Sequence, residues 1–436
     1  MREIMDINEK FLELNKRNFD NAEVINILLH MILCVMPLIL SSKGTDRYYY
    51  PKALFLYGMG ILIFILMIKE RTKLNMRTDK IFILFFILLV LSTINSMDIS
   101  RSITGGTWRY EGIITLFMYG VIFISASKYF KLSKLGINLF LFSGLIVAIY
   151  YIIQNLGYEP LNFLLKNAEK MNSTIGNRNF LSSYLLIFLA LSMCGFIFYK
   201  NKKCFIYSLI YFLALIYSKT RGGWVSLGIF SLLGLYFIIK DRNRLKRATI
   251  IVISFTLIFF VVNLFNSGEF MERLETVKED AINIKDSSSG SGRIGIYKGA
   301  INMIKERPFL GTGVSCFWEG FQLDAPKDVL DSWKSKEIMV DKAHNEILNY
   351  AATSGVPAAI LYIILIFLVF YRLWKNKEDE RVRTILIILF GYVVQANLNI
   401  SVVPVAPLFW IILGIGSNIE IIKNLKMEDK EKNVIM

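Results

Sequence analysis

Long apolar blocks separated by polar segments dominate this chain and restrict what it can fold into. In a bilayer every backbone polar group must be paired internally, so an apolar run of about 20 residues predicts a spanning helix. Twelve such blocks occur, several of them shorter than ideal. They predict an all-α polytopic membrane protein with about twelve transmembrane helices. The blocks are Val24–Leu40, Ala53–Ile68, Ile81–Ile94, Gly112–Ala126, Leu135–Gln154, Phe180–Phe198, Phe205–Ser218, Gly223–Ile239, Ile250–Leu264, Gly355–Phe370, Thr384–Ala396 and Pro407–Ile419.

One polar segment, Ser267–Lys342, is far longer than the others and ends just before His344. Inside it, Arg293–Arg307 spaces its apolar residues as one face of a helix does, and Pro308 then ends the run. We expect a short amphipathic helix that lies on the membrane surface or covers the bundle. A large loop on one side of a bilayer indicates that the protein acts on a substrate at that surface.

The formal net charge of +15 is compatible with nucleic-acid binding, but the positions of the cations indicate membrane topology instead. If the N-terminus is cytoplasmic and the blocks alternate, cytoplasmic segments hold 29 of the 50 Lys and Arg residues, short outer loops hold 10, and Ser267–Lys342 holds 11. The positive-inside bias of short loops then predicts that both termini are cytoplasmic and the large loop is extracytoplasmic. We expect a cytoplasmic membrane protein surrounded by lipid, with no nucleic-acid partner, and the abundance of Ile, Lys, Asn and Phe suggests a bacterial source.

This topology divides the chain into five parts. We predict a cytoplasmic arm (1–23), transmembrane helices 1–9 (24–266), an extracytoplasmic loop containing short helices (267–343), a re-entry helix with transmembrane helices 10–12 (344–420), and a cytoplasmic tail (421–436). We see no convincing internal repeat, which disfavours a transporter built from inverted halves.

Two arginines are candidate anion ligands. Arg221 lies in SKTRGGW, where Gly222 and Gly223 let a ligand or a helix approach the backbone. Arg293 opens the amphipathic run, at a helix end where a cation opposes the helix dipole. A guanidinium is permanently charged and its planar fork suits phosphate oxygens. Each arginine also has a structural interpretation, since Arg221 can snorkel to lipid headgroups and Arg293 can be a solvated charge.

His344 is a candidate for proton transfer. It is one of two histidines, and the other, His30, lies inside the first apolar block. The unperturbed pKa of histidine, about 6.5, lets the side chain accept and release a proton near neutrality. A lone histidine can equally be structural. The predicted position of His344 on the same side of the membrane as the two arginines favours a role in chemistry.

Several common site signatures are missing from the sequence. No GxxxxGK[ST] phosphate loop occurs, GTGVSC does not complete a GxGxxG, and there is no Asp-x-Asp to hold a divalent cation. We therefore expect no metal and no cofactor. Any chemistry at the outer face must then depend on arginine cations and one histidine.

The order of three motifs resembles the O-antigen ligase and polymerase family of bacterial membrane glycosyltransferases. The motifs are SKTRGG, then R-I-G-I-Y-K-G-A-x-x-M-I-x-x-x-P-x-x-G-x-G, then H-N-x-x-L-x-x-x-x-x-x-G, and together they span 217–355. GNRNF and WRYEG also resemble upstream segments of such sequences. The chain departs from the family pattern at Thr353, where an acidic residue is frequent, at Ala358, where a second glycine is frequent, and at Thr220, where serine is commoner.

The resemblance implies a fold of the GT-C type and a metal-independent glycosyltransferase. The donor would be a glycan on undecaprenyl diphosphate, and the acceptor a hydroxyl of a glycan, lipid or protein outside the cytoplasmic membrane. Arg221 and Arg293 would bind the diphosphate and stabilise its charge, and His344 would act as base on the acceptor hydroxyl. The resemblance further suggests Asn345, Lys219 and Arg109 as substrate-binding residues, although Lys219 can instead snorkel.

Other functions remain open on the sequence alone. A polytopic transporter or flippase for lipid-linked glycans would place charges in mid-membrane rather than at the outer rim. A membrane scaffold would use the outer loop to dock a cell-wall partner. Among enzymes, ligation, polymerisation of a surface polysaccharide and protein O-oligosaccharide transfer share these motifs.

Overall fold

A computed structural model describes residues 20–42, 46–107, 109–161, 172–272, 275, 292–335 and 339–424. Within these ranges the regular structure is helical and contains no strand. In chain order the α-helices are α1 (Asn21–Cys34), α2 (Tyr50–Lys69), α3 (Arg77–Ile94), α4 (Ile99–Thr104), α5 (Ile113–Tyr129), α6 (Lys134–Asn155), α7 (Arg178–Tyr199), α8 (Lys202–Tyr217), α9 (Arg221–Ile238), α10 (Arg242–Phe265), α11 (Arg293–Glu306), α12 (Phe317–Asp324), α13 (Lys327–Lys334), α14 (Glu346–Ser354), α15 (Val356–Lys375), α16 (Glu380–Ala396) and α17 (Ala406–Ser417).

Each apolar block of the sequence falls on one of these helices. In the part of the chain that is described, seven helices are long and apolar enough to cross a membrane: α1 with its following turn (Asn21–Leu38), α2, α6, α7, α9, α10 and α15. Helices α5 and α17 are apolar but shorter. The chain is thus a polytopic helical protein. Whether the remaining helices also span the membrane, which would give about twelve spans, stays a prediction.

Polar side chains at the helix starts explain many of the boundaries. A side-chain oxygen just before the helix accepts a hydrogen bond from a backbone N–H of the first turn, which has no partner inside the helix. For example, Asp20 accepts from the Glu23 N–H at 2.6 Å, and Asn201 accepts from the Lys203 N–H at 3.0 Å. The same cap recurs at Ser133, Asn177, Asp241, Asn345 and Asp379.

Helix burial separates the centre of the bundle from its rim. Every residue of α17 is buried, and Trp410 packs against Phe82, Tyr119 and Phe123. Helix α10 shows the reverse pattern, with apolar side chains such as Leu264, 79% exposed, on its outer surface. A row of exposed apolar residues on a helix of this length is what contact with lipid requires.

Long-range hydrogen bonds join the chain segments at each end of the bundle. The end that includes residues 292–355 is called the cap end here. At the cap end, Lys52 Nζ donates to the Thr174 carbonyl at 2.7 Å, and the Met97 N–H donates to the Thr312 carbonyl at 3.0 Å. At the opposite end, Asn418 Nδ2 donates to the Ser127 carbonyl at 2.8 Å. Successive long helices run between these two ends.

Helices α11–α13 form a small cap that packs on α14 through its own apolar cluster. The amphipathic helix predicted at Arg293–Arg307 is present as α11, which ends one residue earlier. The cap is tied to α14 through the Gly313 N–H, which donates to the Thr353 carbonyl at 2.8 Å. Gly313 has φ +107°, and a Cβ there would lie 2.1 Å from Ser96 Cβ, so no larger residue fits. The buried members of the cluster are Ile296, Ala300, Met303, Phe317, Phe321, Val329, Val340, Ala343 and Ala352.

Candidate active site

His344 lies in a short turn between the cap and α14. Its φ of +53° is in the left-handed region, which few non-glycine residues adopt, histidine being among those that do so more often. Tyr297 of α11 donates its hydroxyl to the His344 carbonyl at 3.3 Å. Asn345 caps α14 by accepting from the Leu348 N–H at 3.0 Å and donates to the Asn397 carbonyl at 3.3 Å. The backbone of His344 is therefore fixed from both sides.

Two ion pairs of opposite polarity hold the segment before His344 against the segment before α5. Arg109 pairs with Asp341, and Glu111 pairs with Lys342. Glu111 is 4% exposed and Lys342 8% exposed, so the second pair is buried. Residues more than 200 positions apart in the sequence thus form one structural unit, which is called the double clamp below.

Further hydrogen bonds satisfy the buried half of the double clamp. Glu111 Oε1 accepts from the Tyr119 hydroxyl at 2.6 Å and from Ser401 Oγ at 2.9 Å. Lys342 Nζ also donates to the Ser401 carbonyl at 2.9 Å. A buried ion pair is tolerated only when its remaining donors and acceptors are satisfied in this way.

The environment of His344 favours a neutral imidazole. Burial is the largest cause that lowers its pKa, and the charge of Arg293 is the next, with smaller contributions from Arg109 and Lys342. The charge of Asp341 opposes them, and the net result is a pKa of about 4. Nδ1 of His344 is buried and has no hydrogen-bond partner among the described residues. At neutral pH the ring can therefore accept a proton.

Arg293 is the first residue of α11 and lies close to His344. Its charge lowers the pKa of both His344 and Tyr297, although burial outweighs it at Tyr297, where the pKa is raised. Arg293 and Tyr297 are four residues apart and so share one face of α11. The structure thus brings together three of the predicted residues, His344, Arg293 and Arg109.

Arg221 begins α9, at the same end of the bundle. A Cβ on the next residue, Gly222, would lie 3.4 Å from Gln395 Oε1 and 3.4 Å from Leu398 Cβ, so the start of α9 packs against the end of α16. Asn345 contacts this same stretch through Asn397. Arg221 is thus placed beside the segment that Asn345 contacts, and its convergence with His344 on one ligand stays a prediction.

Lys219 makes its own contacts at the cap end. Its ammonium lies 2.6 Å from Glu269 Oε2 and 5.4 Å from the centre of the Phe270 ring. These contacts hold the link between α8 and α9 near the end of α10. A role for Lys219 in substrate binding stays a prediction.

Metal ligands do not converge in the described part of the chain. No group of three or more His, Cys, Asp or Glu side chains there is placed to hold a metal ion. The charged groups around His344 are instead two guanidiniums, one ammonium and one carboxylate that is already paired with Arg109.

Comparison with protein families gives a match to part of the chain. Residues 206–363 match the family described as O-antigen ligase. This part of the chain is similar to the O-antigen ligase family. The matched range contains Arg221, Arg293 and His344, whereas Arg109 and Glu111 lie before it. A comparison with curated proteins gives no match.

The match to the O-antigen ligase family, together with the apolar helices, supports a multi-pass bacterial membrane protein of polysaccharide biosynthesis. It also supports an activity of the ligase or polymerase type on lipid-linked glycans. The donor, the acceptor, the working face and the roles of single residues are addressed below.

Glu346 is a feature of the site that the sequence did not reveal. Its side chain is 5% exposed, and Oε2 has no hydrogen-bond partner among the described residues. Burial raises its pKa to about 7; the charge of Glu111 adds to the rise, while a hydrogen bond with Tyr362 and the charge of Lys342 oppose it. Glu346 lines a cavity of about 30 Å³ with Glu111 and Lys342, which is room for one water molecule.

We expect Glu346→Gln to change the pH dependence of stability. A carboxyl whose native pKa is raised stabilises the fold fully below its unfolded value of 4.5, and this contribution is lost as the pH rises through about 7. The loss amounts to about 3 kcal/mol. The thermal unfolding midpoint in detergent should be lower at pH 8 than at pH 5 for the parent chain. The Glu346→Gln variant should lack this decrease. Glu306→Gln, at an exposed position, is the control, and equal falls in all three proteins would contradict the assignment.

The double clamp predicts a second stability effect. Lys342→Met should destabilise the protein by about 3–5 kcal/mol, because it leaves the buried Glu111 carboxylate without its cation. The double variant Glu111→Gln/Lys342→Met removes both charges and should recover most of this loss. The measurement is the thermal unfolding midpoint of the three proteins. If the single and double variants unfold at the same temperature, the pair does not have the predicted energetic role.

The sequence carried only a weak signal for these additional residues. WRYEG contains Arg109 and Glu111 two residues apart, and DKAHNE contains Asp341 and Lys342 just before His344. Opposite charges in both segments are compatible with pairing. One sequence cannot show that two segments so distant along the chain meet.

Proposed function

We propose that this protein transfers a glycan from polyprenyl diphosphate, undecaprenyl diphosphate in bacteria, to an acceptor hydroxyl at the extracytoplasmic face. The observation that carries the proposal is the neutral imidazole of His344 beside the guanidiniums of Arg293 and Arg109 at the cap end of the bundle. A base and cations side by side are what glycosyl transfer from a diphosphate requires. The family match supports the same reaction class.

The proposed reaction balances through these residues. The acceptor oxygen forms a bond to the anomeric carbon of the donor sugar, and its proton passes to a ring nitrogen of His344. The bond between that carbon and the diphosphate oxygen breaks, and its electron pair leaves with the polyprenyl diphosphate. Arg293 and Arg221, with Arg109 as a further ligand, stabilise the growing negative charge, and such stabilisation is stronger in a poorly hydrated site than in water.

The cations also couple the strength of the base to donor binding. In the free protein, Arg293 and Arg109 lower the pKa of His344. A bound diphosphate would offset their positive charge, so the pKa of His344 should rise toward the ordinary value for histidine. The imidazole then becomes a better base only when the donor is present.

This coupling predicts different pH profiles for two kinetic parameters. The base must be unprotonated, so activity falls as the pH drops through its pKa. For the donor, kcat/KM reports the free enzyme and should decline only near pH 4, whereas kcat reports the donor complex and should decline at a higher pH. Steady-state transfer measured from pH 4 to pH 8 checks this. Acidic limbs at the same pH in both profiles would contradict the coupling.

The working face follows from the predicted topology. Lys and Arg are enriched in the short segments at the opposite end of the bundle, which the positive-inside bias assigns to the cytoplasm. The cap end would then be extracytoplasmic, where nucleotide sugars are absent. A donor on that side must carry its own leaving group, and a lipid diphosphate does.

The nature of the acceptor remains open between a growing polysaccharide, a lipid and a protein side chain. All three present a hydroxyl, and the described site is compatible with each. A flippase for lipid-linked glycans is the second candidate, because it would bind the same diphosphate through the same arginines.

Reconstitution of the full chain in vesicles containing a polyprenyl-diphosphate-linked oligosaccharide and a candidate acceptor tests the proposal. We expect glycosylated acceptor and free polyprenyl diphosphate in equal amounts, with or without a chelator. Movement of intact donor between leaflets with no transfer to glycan, lipid or protein acceptors would overturn the proposal in favour of a flippase. Loss of transfer in chelator that Mg²⁺ restores would refute metal independence.

A further inference from the structure

A second cavity lies at the opposite end of the bundle from His344. Its volume is about 400 Å³, within the usual range for ligand pockets. Parts of α1, α6, α7, α8, α16 and α17 surround it. None of its lining residues belongs to the candidate active site, so it needs a separate explanation.

The cavity has an apolar interior and a polar mouth. Residues such as Leu191 and Ile388 line the interior, two turns or more from the nearer ends of their helices. Polar residues lie where helices begin or end, for example Ser133 before α6 and Asn201 between α7 and α8. A chain-shaped molecule with one polar end matches this arrangement.

An apolar cavity of this size is unfavourable when it is empty. The cost of an unfilled cavity grows with its volume, because the lining side chains lose contacts on one side. Water is a poor filler, since it needs several polar partners at once and the interior offers few. A hydrocarbon chain from the surrounding bilayer would restore these contacts.

The charges at the mouth indicate the headgroup. Lys134 and Arg381 line the cavity, and among the residues that the structure describes no Asp or Glu does. Arg381 is itself bonded to Asp379, with Nε 2.9 Å from Oδ1, so its charge is partly balanced. This is also the end that the charge bias places at the cytoplasmic leaflet, which is rich in anionic lipids, and basic pockets between helices on that side suit anionic headgroups.

We propose that this cavity holds an acyl chain of an anionic phospholipid, whose headgroup lies at the mouth near Lys134 and Arg381. The lipid acts as a structural ligand that fills the bundle between α6, α7 and α16. The proposal is independent of glycan transfer, because the cavity and the candidate active site lie at different ends of the molecule.

Delipidated full-length protein in detergent tests the proposal with two probes, phosphatidylglycerol and phosphatidylcholine. We expect native mass spectrometry to show that the protein retains phosphatidylglycerol in preference to phosphatidylcholine. Added phosphatidylglycerol should also raise the thermal unfolding midpoint more than added phosphatidylcholine does. Lys134→Gln should reduce the preference about fivefold. Lys202→Gln, at an exposed position of the same end, should leave the preference unchanged.

A cavity-filling variant separates this site from general lipid contact. Leu191→Trp places an indole in the cavity and should abolish both lipid retention and the stabilisation by phosphatidylglycerol. Leu232→Trp, on an outward position that is 67% exposed, should abolish neither. Equal effects of the two lipids on the parent chain would overturn the proposal. So would undiminished phosphatidylglycerol binding by a folded Leu191→Trp variant.

Discussion

Replacing His344 with asparagine is expected to slow glycan transfer by a factor of about 10²–10⁴, the usual contribution of a general base. The imidazole is neutral at pH 7 because burial and the nearby cations lower its pKa to about 4. Asparagine tolerates the left-handed backbone that His344 adopts, so the turn before α14 should persist. Donor binding should remain, because the side chains proposed to hold the diphosphate are unchanged.

The measurement is the rate of transfer at saturating donor, together with binding of the lipid-linked donor at equilibrium. Lys305→Ala changes an exposed residue of α11 in the same cap and should keep both properties. A His344→Asn variant that turns over at the parent rate would show that the imidazole is not the base. Loss of donor binding as well as turnover would instead assign His344 to the binding site.

Replacing Arg293 with alanine should lower kcat by about 10²–10³, the effect of removing one group that stabilises developing charge. The variant should also carry a second signature. Arg293 is the nearby charge that lowers the pKa of His344 most, so its removal should raise that pKa and move the acidic limb of kcat/KM to higher pH. If the role of Arg293 were purely structural, the Arg293→Ala variant would lose activity without this shift of the acidic limb.

Two matched variants complete the test. Arg242→Ala removes an arginine from the first position of α10, at the opposite end, and should not alter transfer or its pH profile. Arg293→Lys keeps the charge but loses the planar fork of donors, so it should restore the pH profile but only part of the rate. Full activity of Arg293→Ala would remove Arg293 from the proposed site.

The helices of this protein could be predicted from its sequence because each depends mainly on local composition. An apolar run long enough to span a bilayer must form a helix there, and each such block is helical in the structure. Helix α11 was predictable for a similar reason, since its apolar spacing and Pro308 are both local. The cap cluster that joins α11 to α12 and α14 could not be predicted, because contacts between separate elements leave no pattern in one sequence.

The site was predictable only in part, and the reason is the same. His344, Arg293 and Arg109 could be proposed from their residue types and motif positions, and the structure places them together. Their partners Asp341 and Lys342 carry no distinctive motif. Glu346 resembles an ordinary acidic residue in the first turn of a helix, and only its burial beside Glu111 reveals its unusual pKa.

The double clamp has a consequence for how the protein is made. Arg109 and Glu111 leave the ribosome more than 200 residues before Asp341 and Lys342 do. Until translation reaches the last quarter of the chain, those first two charges lack the partners that neutralise them in the finished protein. A chain that ends before residue 341 leaves the Glu111 carboxylate without its cation, so such truncated products should be unstable and prone to degradation.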